Sequence, residues 1–229
     1  MSAVAEARQA LIDLTTLTRR ELFDLWQSLM GRPPDEVRDL LMGVLPTLGE
    51  EYGSAAAALA ADWYDDLRLE AGVSGRFFAE PADLPDRGRY ESLVKWGLAP
   101  LFREEPEPDV AFTLIEGGMQ RTVADQHRLT VVEATKRDPQ AKGWRRVGVG
   151  HNCGFCRMLI DRGHVYTEAT VTFRSHDHCN CAAAPSWDAN VVKVSPAAYE
   201  QSKNRPRSDK ALKARNQAAY AYIRDNYAD

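Results

Sequence analysis

The chain has 229 residues, 44% apolar and 27% charged, which is the composition of a soluble globular protein with one large or two small domains. No apolar stretch approaches the roughly 20 residues that a membrane span requires, and the opening residues lack the apolar core of a secretory signal. With a net charge of −4, we expect a protein that is made and kept in a cytoplasm and has no membrane partner.

The first 31 residues have the apolar periodicity of α-helices. Leu11, Leu14 and Leu17 are spaced three residues apart. Thr18-Arg-Arg-Glu21 then fits a capping box, in which Thr and Glu side chains bond to the free N–H groups of a helix start. An apolar stripe over residues 22–30 follows, and Gly31 with the prolines behind it predicts the helix end.

Two further helical segments are predicted before residue 71. Residues 37–48 repeat the apolar stripe, but Pro46 lies inside it and should kink or break the helix because it has no N–H to donate. Residues 54–70 are rich in alanine and carry Trp63 and Tyr64 on one side, which is typical of a core-facing helix. Residues 72–88, rich in Gly, Pro and Asp, are predicted to form a long loop.

The longest helical stretch is predicted over residues 109–137, after a helix near residues 89–102 and an acidic turn. A break at Gly117-Gly118 is expected, and Asp138-Pro139 should stop the helix. Residues 1–139 carry 15 basic and 25 acidic side chains, a net charge of −10, whereas residues 140–229 carry 14 and 8, a net charge of +6. Because charge and pattern change together, we predict a mainly helical domain over 1–139 and a second domain over 140–229.

The second domain has a mixed pattern. Residues 144–149 are predicted to form a strand, residues 153–161 a short helix, and residues 165–166 a short strand. Ser208 can cap a final helix that reaches residue 227. The predicted fold class is therefore α+β: a helical N-terminal part, a small mixed C-terminal domain stapled by zinc, and a final helix.

All four cysteines lie within residues 153–181, in two motifs, Cys153-Gly-Phe-Cys156 and His176-Asp-His178-Cys179-Asn-Cys181. Two cysteines at i and i+3 can bind one metal ion, and a second Cys/His group can complete a zinc tetrahedron. Cys153, Cys156, His176 and Cys179 form one plausible set, and Cys181 could replace Cys179 or complete an all-cysteine set. Four protein ligands close the site to water, which predicts one structural zinc per chain.

Two other states of the cysteines stay open at this point. The thiols could be free of metal, or they could form disulfides, which the absence of a secretory signal disfavours. His151 is a weak additional ligand candidate, whereas His127 and His164 have the pattern of ordinary histidines. Gly148-Val-Gly150 lacks the spacing of a phosphate loop, and the serines lack the context of a nucleophile elbow. We therefore expect a protein that is not an enzyme and has no catalytic residues.

The cysteine motifs belong to a longer pattern that resembles the MuF-like minor capsid proteins of tailed phages, in the form found in phages of actinobacteria. Its specific part runs from Trp144-Arg-Arg-Val through Arg162-Gly163-His-Val-Tyr166 to Cys181, and it extends upstream to Ala61-Asp-Trp63-Tyr64-Asp-Asp-Leu, Arg128-Leu-Thr130 and Asp138-Pro139. The resemblance covers most of residues 50–190.

This resemblance implies a head morphogenesis protein of the virion, present in few copies inside the capsid near the portal and the DNA. The implied partners are the portal protein and the major capsid protein, and the basic C-terminal part adds the possibility of weak, non-specific DNA contact. The resemblance implies metal ligands at Cys153, Cys156, His176, Cys179 and Cys181, and it carries over no catalytic residue.

A nuclease is the main alternative. The C-x2-C pair followed by Asp177-His178 resembles the first half of a zinc-stapled HNH or endonuclease VII-like fold, in which the histidine would act as general base. That family usually has a second C-x2-C and a downstream Asn or His, whereas this chain has no cysteine after Cys181 and no histidine after His178. A different zinc-stapled interaction domain is a third possibility.

Overall fold

The computed structural model describes residues 3–148, 153–161, 173, 175–179 and 181–188, and five single residues nearer the C-terminus. The described elements are mostly helices with one small sheet, so the predicted α+β class is confirmed. In chain order they are α1 (Ala3–Leu29), α2 (Pro34–Glu70), α3 (Arg87–Gly97), a 3₁₀ turn (Ala99–Phe102), α4 (Pro108–Arg137), β1 (Gly143–Gly148), α5 (Gly154–Ile160) and β2 (Cys181–Ser186). No helix among the described residues is both long and apolar enough to span a membrane.

Helix α1 is continuous, so the predicted helix start at Thr18 is wrong. The Thr18 hydroxyl donates a hydrogen bond to the carbonyl oxygen of Leu14 at 2.9 Å, one turn back inside the same helix. A threonine can make this bond only within a helix that is already formed on its N-terminal side. The predicted end is confirmed, because α1 stops at Leu29 and Gly31 takes a left-handed backbone with φ of 82°.

Helix α2 continues through Pro46, so the predicted break is wrong there too. Leu41, Leu45 and Pro46 itself are buried, and the ring of Tyr90 packs against Gly49 one turn later. This burial on both sides of the proline stabilises the helix despite the missing N–H. As a result α2, with 37 residues, is longer than α4, with 30.

Helix α4 continues through Gly117 and Gly118, so the break predicted at these two glycines is wrong. A Cβ atom at Gly118 would lie 2.3 Å from Leu93 Cδ1, and one at Gly117 would lie 2.5 Å from His178 Nε2. Here glycine allows α3 and the residue 177–178 turn to approach the helix closely, and it does not end the helix.

Two apolar clusters form most of the core. The first joins α1, α2, α3 and the start of α4, and the second joins α1, α2 and α4 with the sheet. The largest buried members of the second cluster are Trp63, Tyr64 and Trp144, and Ala182, Ala183 and Ala184 pack beside them. The sheet therefore shares its core with the helices. The proposed domain boundary at residue 140 stays a prediction.

The sheet consists of β1 and β2, which pair antiparallel from Gly143 opposite Ser186 to Gly148 opposite Cys181. Strand β1 and helix α5 were predicted within a residue or two. Strand β2 was not predicted, because its sequence CAAAPS has no branched or aromatic residue to indicate a strand. The short strand at 165–166, the motif Arg162-Gly163-His-Val-Tyr166, His151 and His164 lie outside the described residues.

The predicted final helix also lies mostly outside the described residues. The single positions described in that segment, at 210, 217, 221, 224 and 225, have helical backbone conformation.

Candidate metal centre

The first half of the centre is built at the start of α5. Cys153 has an extended backbone and occupies the position that precedes the helix, and Cys156 follows in the first turn. The i, i+3 spacing therefore places both sulfurs at the same end of α5. Cys153 is exposed, whereas Cys156 is buried with 1% of its surface accessible.

The second half of the centre is a tight turn over residues 175–179 that leads towards β2. His178 takes a left-handed backbone with φ of 58°, which is uncommon for a residue with a side chain. Cys179 and Cys181 are both buried, and Cys181 is the first residue of β2. The predicted C-x-C pair therefore has one cysteine before β2 and the other at its first residue.

The structure brings the five predicted ligands together. His176 Nε2 lies 3.2 Å from Cys153 Sγ and 3.6 Å from Cys156 Sγ. Cys156 Sγ lies 3.4 Å from Cys179 Sγ, which in turn lies 3.0 Å from Cys181 Sγ. These atoms form two groups of three that share Cys156. All four cysteines are free thiols, so the structure shows no disulfide among them.

The donor set fits a thiophilic metal ion. A tetrahedral ion with sulfur ligands at about 2.3 Å places neighbouring ligand atoms roughly 3.5–3.8 Å apart, close to the separations around Cys156. Sulfur and imidazole donors favour zinc or a similar ion and disfavour magnesium or calcium, which prefer oxygen. The cluster could therefore hold a metal ion, and the choice of four ligands among the five groups stays a prediction.

His176 is oriented for metal binding by its own turn. Its Nδ1 atom lies 2.7 Å from the carbonyl oxygen of Asp177, so a proton on Nδ1 would be donated there. The Nε2 lone pair is then directed at the two sulfurs of the first motif. Metal-binding histidines commonly have such a hydrogen bond on the second ring nitrogen, because it fixes the tautomer and the ring orientation.

The buried thiols have different electrostatic surroundings. Hydrogen bonds from Cys156 and Cys179, with the positive charges of Arg128 and Arg146, lower the pKa of the Cys181 thiol well below its ordinary value. Hydrogen bonding to Cys179 and Cys181, followed by burial, raises the pKa of Cys156. Arg146 Nη1 also donates to Cys181 Sγ at 3.1 Å, so a negative charge on this sulfur has a cationic partner.

Arg146 is held on an aromatic platform. Its guanidinium lies 3.9 Å above the ring centroid of Phe173, and Phe173 stacks on Trp144 with centroids 5.4 Å apart. Arg146 has 5% of its surface exposed, so its charge is largely desolvated beside the sulfur cluster. Burial strengthens the attraction between a cation and a nearby thiolate, because the effective dielectric constant is lower there than in water.

Helix α4 contacts the second half of the centre through three charged residues that the sequence reasoning did not assign to it. Arg128 donates to the backbone carbonyls of Cys179 and Cys181. Asp125 accepts from the Ser175 hydroxyl at 2.7 Å, and Arg121 pairs with Asp177 at 2.9 Å. The one feature of the sequence that could have indicated this contact is the spacing of the three residues, since positions 121, 125 and 128 fall on one face of a helix.

His178 and His127 lie outside the ligand cluster. The exposed His178 packs over Gly117 of α4. His127 is buried beside Trp63, with ring centroids 5.0 Å apart, and burial together with the charge of Arg128 lowers its pKa to about 3. His127 is thus a neutral core histidine, as its sequence pattern indicated.

A groove of about 570 Å³ runs between α3 and α4 beside the turn of the metal centre. Trp96 is the exposed aromatic residue at this groove, with 51% of its surface accessible. Arg89 and Arg121 both line it and are both ion-paired, with Asp125 and Asp177 respectively. Phe173 and Ser175 form part of its wall, so the groove and the second half of the centre share residues.

A protein-family model described as VG15 protein matches residues 1–205, which include both apolar clusters and all five candidate ligands. No curated protein sequence and no solved structure matches the chain.

Proposed function

The chain belongs to the VG15 protein family, a phage-associated family of viral gene products, and we propose that it is a minor capsid protein active in head morphogenesis of a tailed phage. The observation that supports this role most is the combination of the family match with the Cys/His cluster at the positions of the MuF-like motif. The proposed location is the capsid interior, near the portal and the DNA.

We propose that the cluster binds one zinc ion with a structural role. Five protein groups for four coordination positions leave no position for a water molecule that could attack a substrate. A bound ion would link α5 to the turn before β2, two segments that are about twenty residues apart in sequence. We accordingly propose that the protein is not an enzyme.

The proposed partners are the portal protein and the major capsid protein. The direct test is co-expression of the full chain with each of them, followed by affinity capture and quantification of the retained chain. Cys153→Ser serves as a variant with an impaired centre, and an exposed substitution far from the centre, Arg103→Ala, serves as the control. Retention of wild type and Arg103→Ala by at least one partner supports the proposal. Retention by neither partner contradicts it.

We also propose weak, sequence-independent contact with DNA through the basic C-terminal part, which has a net charge of +6. Phosphate contacts release counterions, so the affinity should fall steeply between low and moderate salt. Fluorescence anisotropy with two unrelated duplexes over a salt series measures this. Tight binding to one sequence at physiological salt, or no binding at low salt, would contradict this part of the proposal.

The nuclease alternative has less support from the site. Asp177 is ion-paired with Arg121, and His178 packs over Gly117 on the side of α4, away from the sulfur cluster. A plasmid-cleavage assay with Mg²⁺, an EDTA control and the variant His178→Ala separates the two functions. Metal-dependent nicking that is lost in His178→Ala would favour the nuclease.

A further inference from the structure

Arg128 connects the candidate metal centre to a helix that lies fifty residues upstream in sequence. The side chain has 1% of its surface exposed. Its Nε atom donates to the Cys181 carbonyl at 2.8 Å, its Nη2 atom donates to the Cys179 carbonyl at 2.7 Å, and its Nη1 atom pairs with Asp125 at 2.7 Å. One planar guanidinium therefore holds the backbone on both sides of residue 180.

This arrangement restricts the C-x-C segment more strongly than a single hydrogen bond could. A guanidinium presents its N–H groups in a rigid fork, so the two carbonyl oxygens are fixed relative to each other as well as to α4. Asp125 keeps the guanidinium in place and is itself bonded by Ser175 from the preceding turn. Because both carbonyls are directed at α4, the orientation of the two thiols depends on Arg128.

We propose that Arg128, held by Asp125, is a positioning residue of the metal centre, which prearranges Cys179 and Cys181 for zinc before the ion binds. The inference rests on the proposed zinc site. It assigns a role to Arg128 of the Arg128-Leu-Thr130 motif, which the structural-zinc function alone does not explain. By linkage, zinc binding in turn stabilises the part of α4 that carries Asp125 and Arg128.

A purely structural role for a buried arginine is the competing explanation, and Arg68 provides the matched control. Arg68 is likewise buried, at 7% exposure, pairs with Asp138 at 3.1 Å, and donates to the carbonyls of Ser74 and Gly75. Its ion pair and hydrogen bonds go to Asp138 and to the carbonyls of residues 73–75, and not to the five candidate ligands. Removing either guanidinium fork should destabilise the fold, but only the loss of Arg128 should change the metal centre.

The experiment compares full-length wild type, Arg128→Lys and Arg68→Lys. Zinc affinity is measured by competition with a chromophoric chelator, folding by thermal melting at saturating zinc, and ligand geometry by the absorption spectrum of the cobalt-substituted protein. Because outer partners of metal ligands typically contribute 10- to 100-fold, we expect Arg128→Lys to weaken zinc binding by at least about tenfold and to alter the cobalt spectrum. We expect Arg68→Lys to melt earlier with unchanged affinity and spectrum.

Ser175→Ala gives a milder test that keeps the fold intact if Arg128→Lys does not fold. It removes the hydroxyl bonded to Asp125, and we expect a smaller but measurable loss of zinc affinity. Unchanged affinity in both Arg128→Lys and Ser175→Ala, or an equal loss in Arg68→Lys, would overturn the positioning role while leaving the zinc site in place. A wild-type chain that binds no zinc would overturn the proposed centre and this inference together.

Discussion

Gly43 and Gly49 both lie within α2, but only Gly49 has neighbours where a side chain would begin. A Cβ atom at residue 49 would lie 2.1–2.7 Å from the ring carbons and hydroxyl of Tyr90, a completely buried residue, whereas nothing lies within 4 Å of the same position at Gly43. The two glycines therefore differ in physical role, although both lower the helix propensity of α2 to the same extent.

Gly49→Ala and Gly43→Ala should change stability in opposite directions. Overpacking against Tyr90 should lower the free energy of unfolding by about 1–3 kcal/mol in Gly49→Ala. Gly43→Ala should raise it by up to about 1 kcal/mol, because alanine is the better helix former and the site is open. Urea unfolding followed by circular dichroism measures both. Changes of the same sign in the free energy of unfolding of the two variants would contradict the packing described at Gly43 and Gly49.

Asp138 is the second single residue on which the fold depends. Its fully buried carboxylate pairs with Arg68 at 3.1 Å and accepts hydrogen bonds from Trp187 at 2.9 Å and Tyr64 at 3.2 Å. Burial alone would raise its pKa, but the bonds from Trp187, Gln140 and Arg68 outweigh burial, so the pKa lies below the ordinary value. The Asp138 carboxylate thus joins the end of α2 to the residue that follows β2.

Asp138→Asn should lower the free energy of unfolding at neutral pH by about 3–5 kcal/mol, because it leaves the buried Arg68 charge without its partner. A carboxyl whose pKa is depressed by folding stabilises the protein above its unfolded pKa, and this stability is lost as the pH falls. The difference between wild type and Asp138→Asn should therefore shrink below about pH 4. Glu80→Gln, at an exposed pair with Arg137, should cost at most about 1 kcal/mol. An equal cost for both variants, or a difference independent of pH, would refute this account.

At the scale of elements, periodicity in the sequence located α1, α3, α4, α5 and β1, although it placed a false helix start at Thr18 and a false break inside α4. It failed where distant contacts override local preference. Pro46 and Gly117-Gly118 suggest helix ends from their own chemistry, but both sites are continuous because neighbours bury or closely approach them. Strand β2 was not predicted because its alanines pack against α4 and Trp144. These are tertiary contacts, which no local sequence pattern indicates.

Only the Cys and His ligands of the candidate site could be predicted from the sequence. The C-x2-C and H-x2-C-x-C spacings are local and led directly to the five ligand candidates. The contribution of α4 was not predictable in this way, because Asp125 and Arg128 meet the second motif across about fifty residues. Charged side chains on a helix face are usually solvated, and only the tertiary structure shows that Arg128 is buried.

Loss of the centre should loosen α5 and the 175–179 turn while α2 and the first half of α4 keep their structure. The first apolar cluster joins α1–α4 without any residue of the metal segment, so it should persist when zinc is lost. Hydrogen exchange of Cys153→Ser should show increased exchange over residues 153–188, greatest in α5 and the turn. Arg103→Ala, an exposed substitution outside the metal segment, is the control and should exchange as wild type does. Uniform loss of protection along the whole chain, or no loss of protection anywhere, would show that the centre does not stabilise this segment locally.

At the scale of the whole molecule, the chain combines an acidic helical part with a basic C-terminal part around a shared core. The groove between α3 and α4 lies where the two parts meet, and two of its lining residues, Asp125 and Ser175, bond to each other beside the metal centre. This organisation is compatible with the assembly role proposed above.

The most direct test of the proposed head protein is quantitative mass spectrometry, with metal analysis, of purified heads from the phage that encodes the chain. The account predicts that the chain is present at a low, constant ratio to the portal protein. It also predicts about one zinc for each copy, because four of the clustered Cys and His groups close a single tetrahedral site. Absence of the chain from purified heads, together with metal-dependent DNA nicking by the isolated protein, would contradict it.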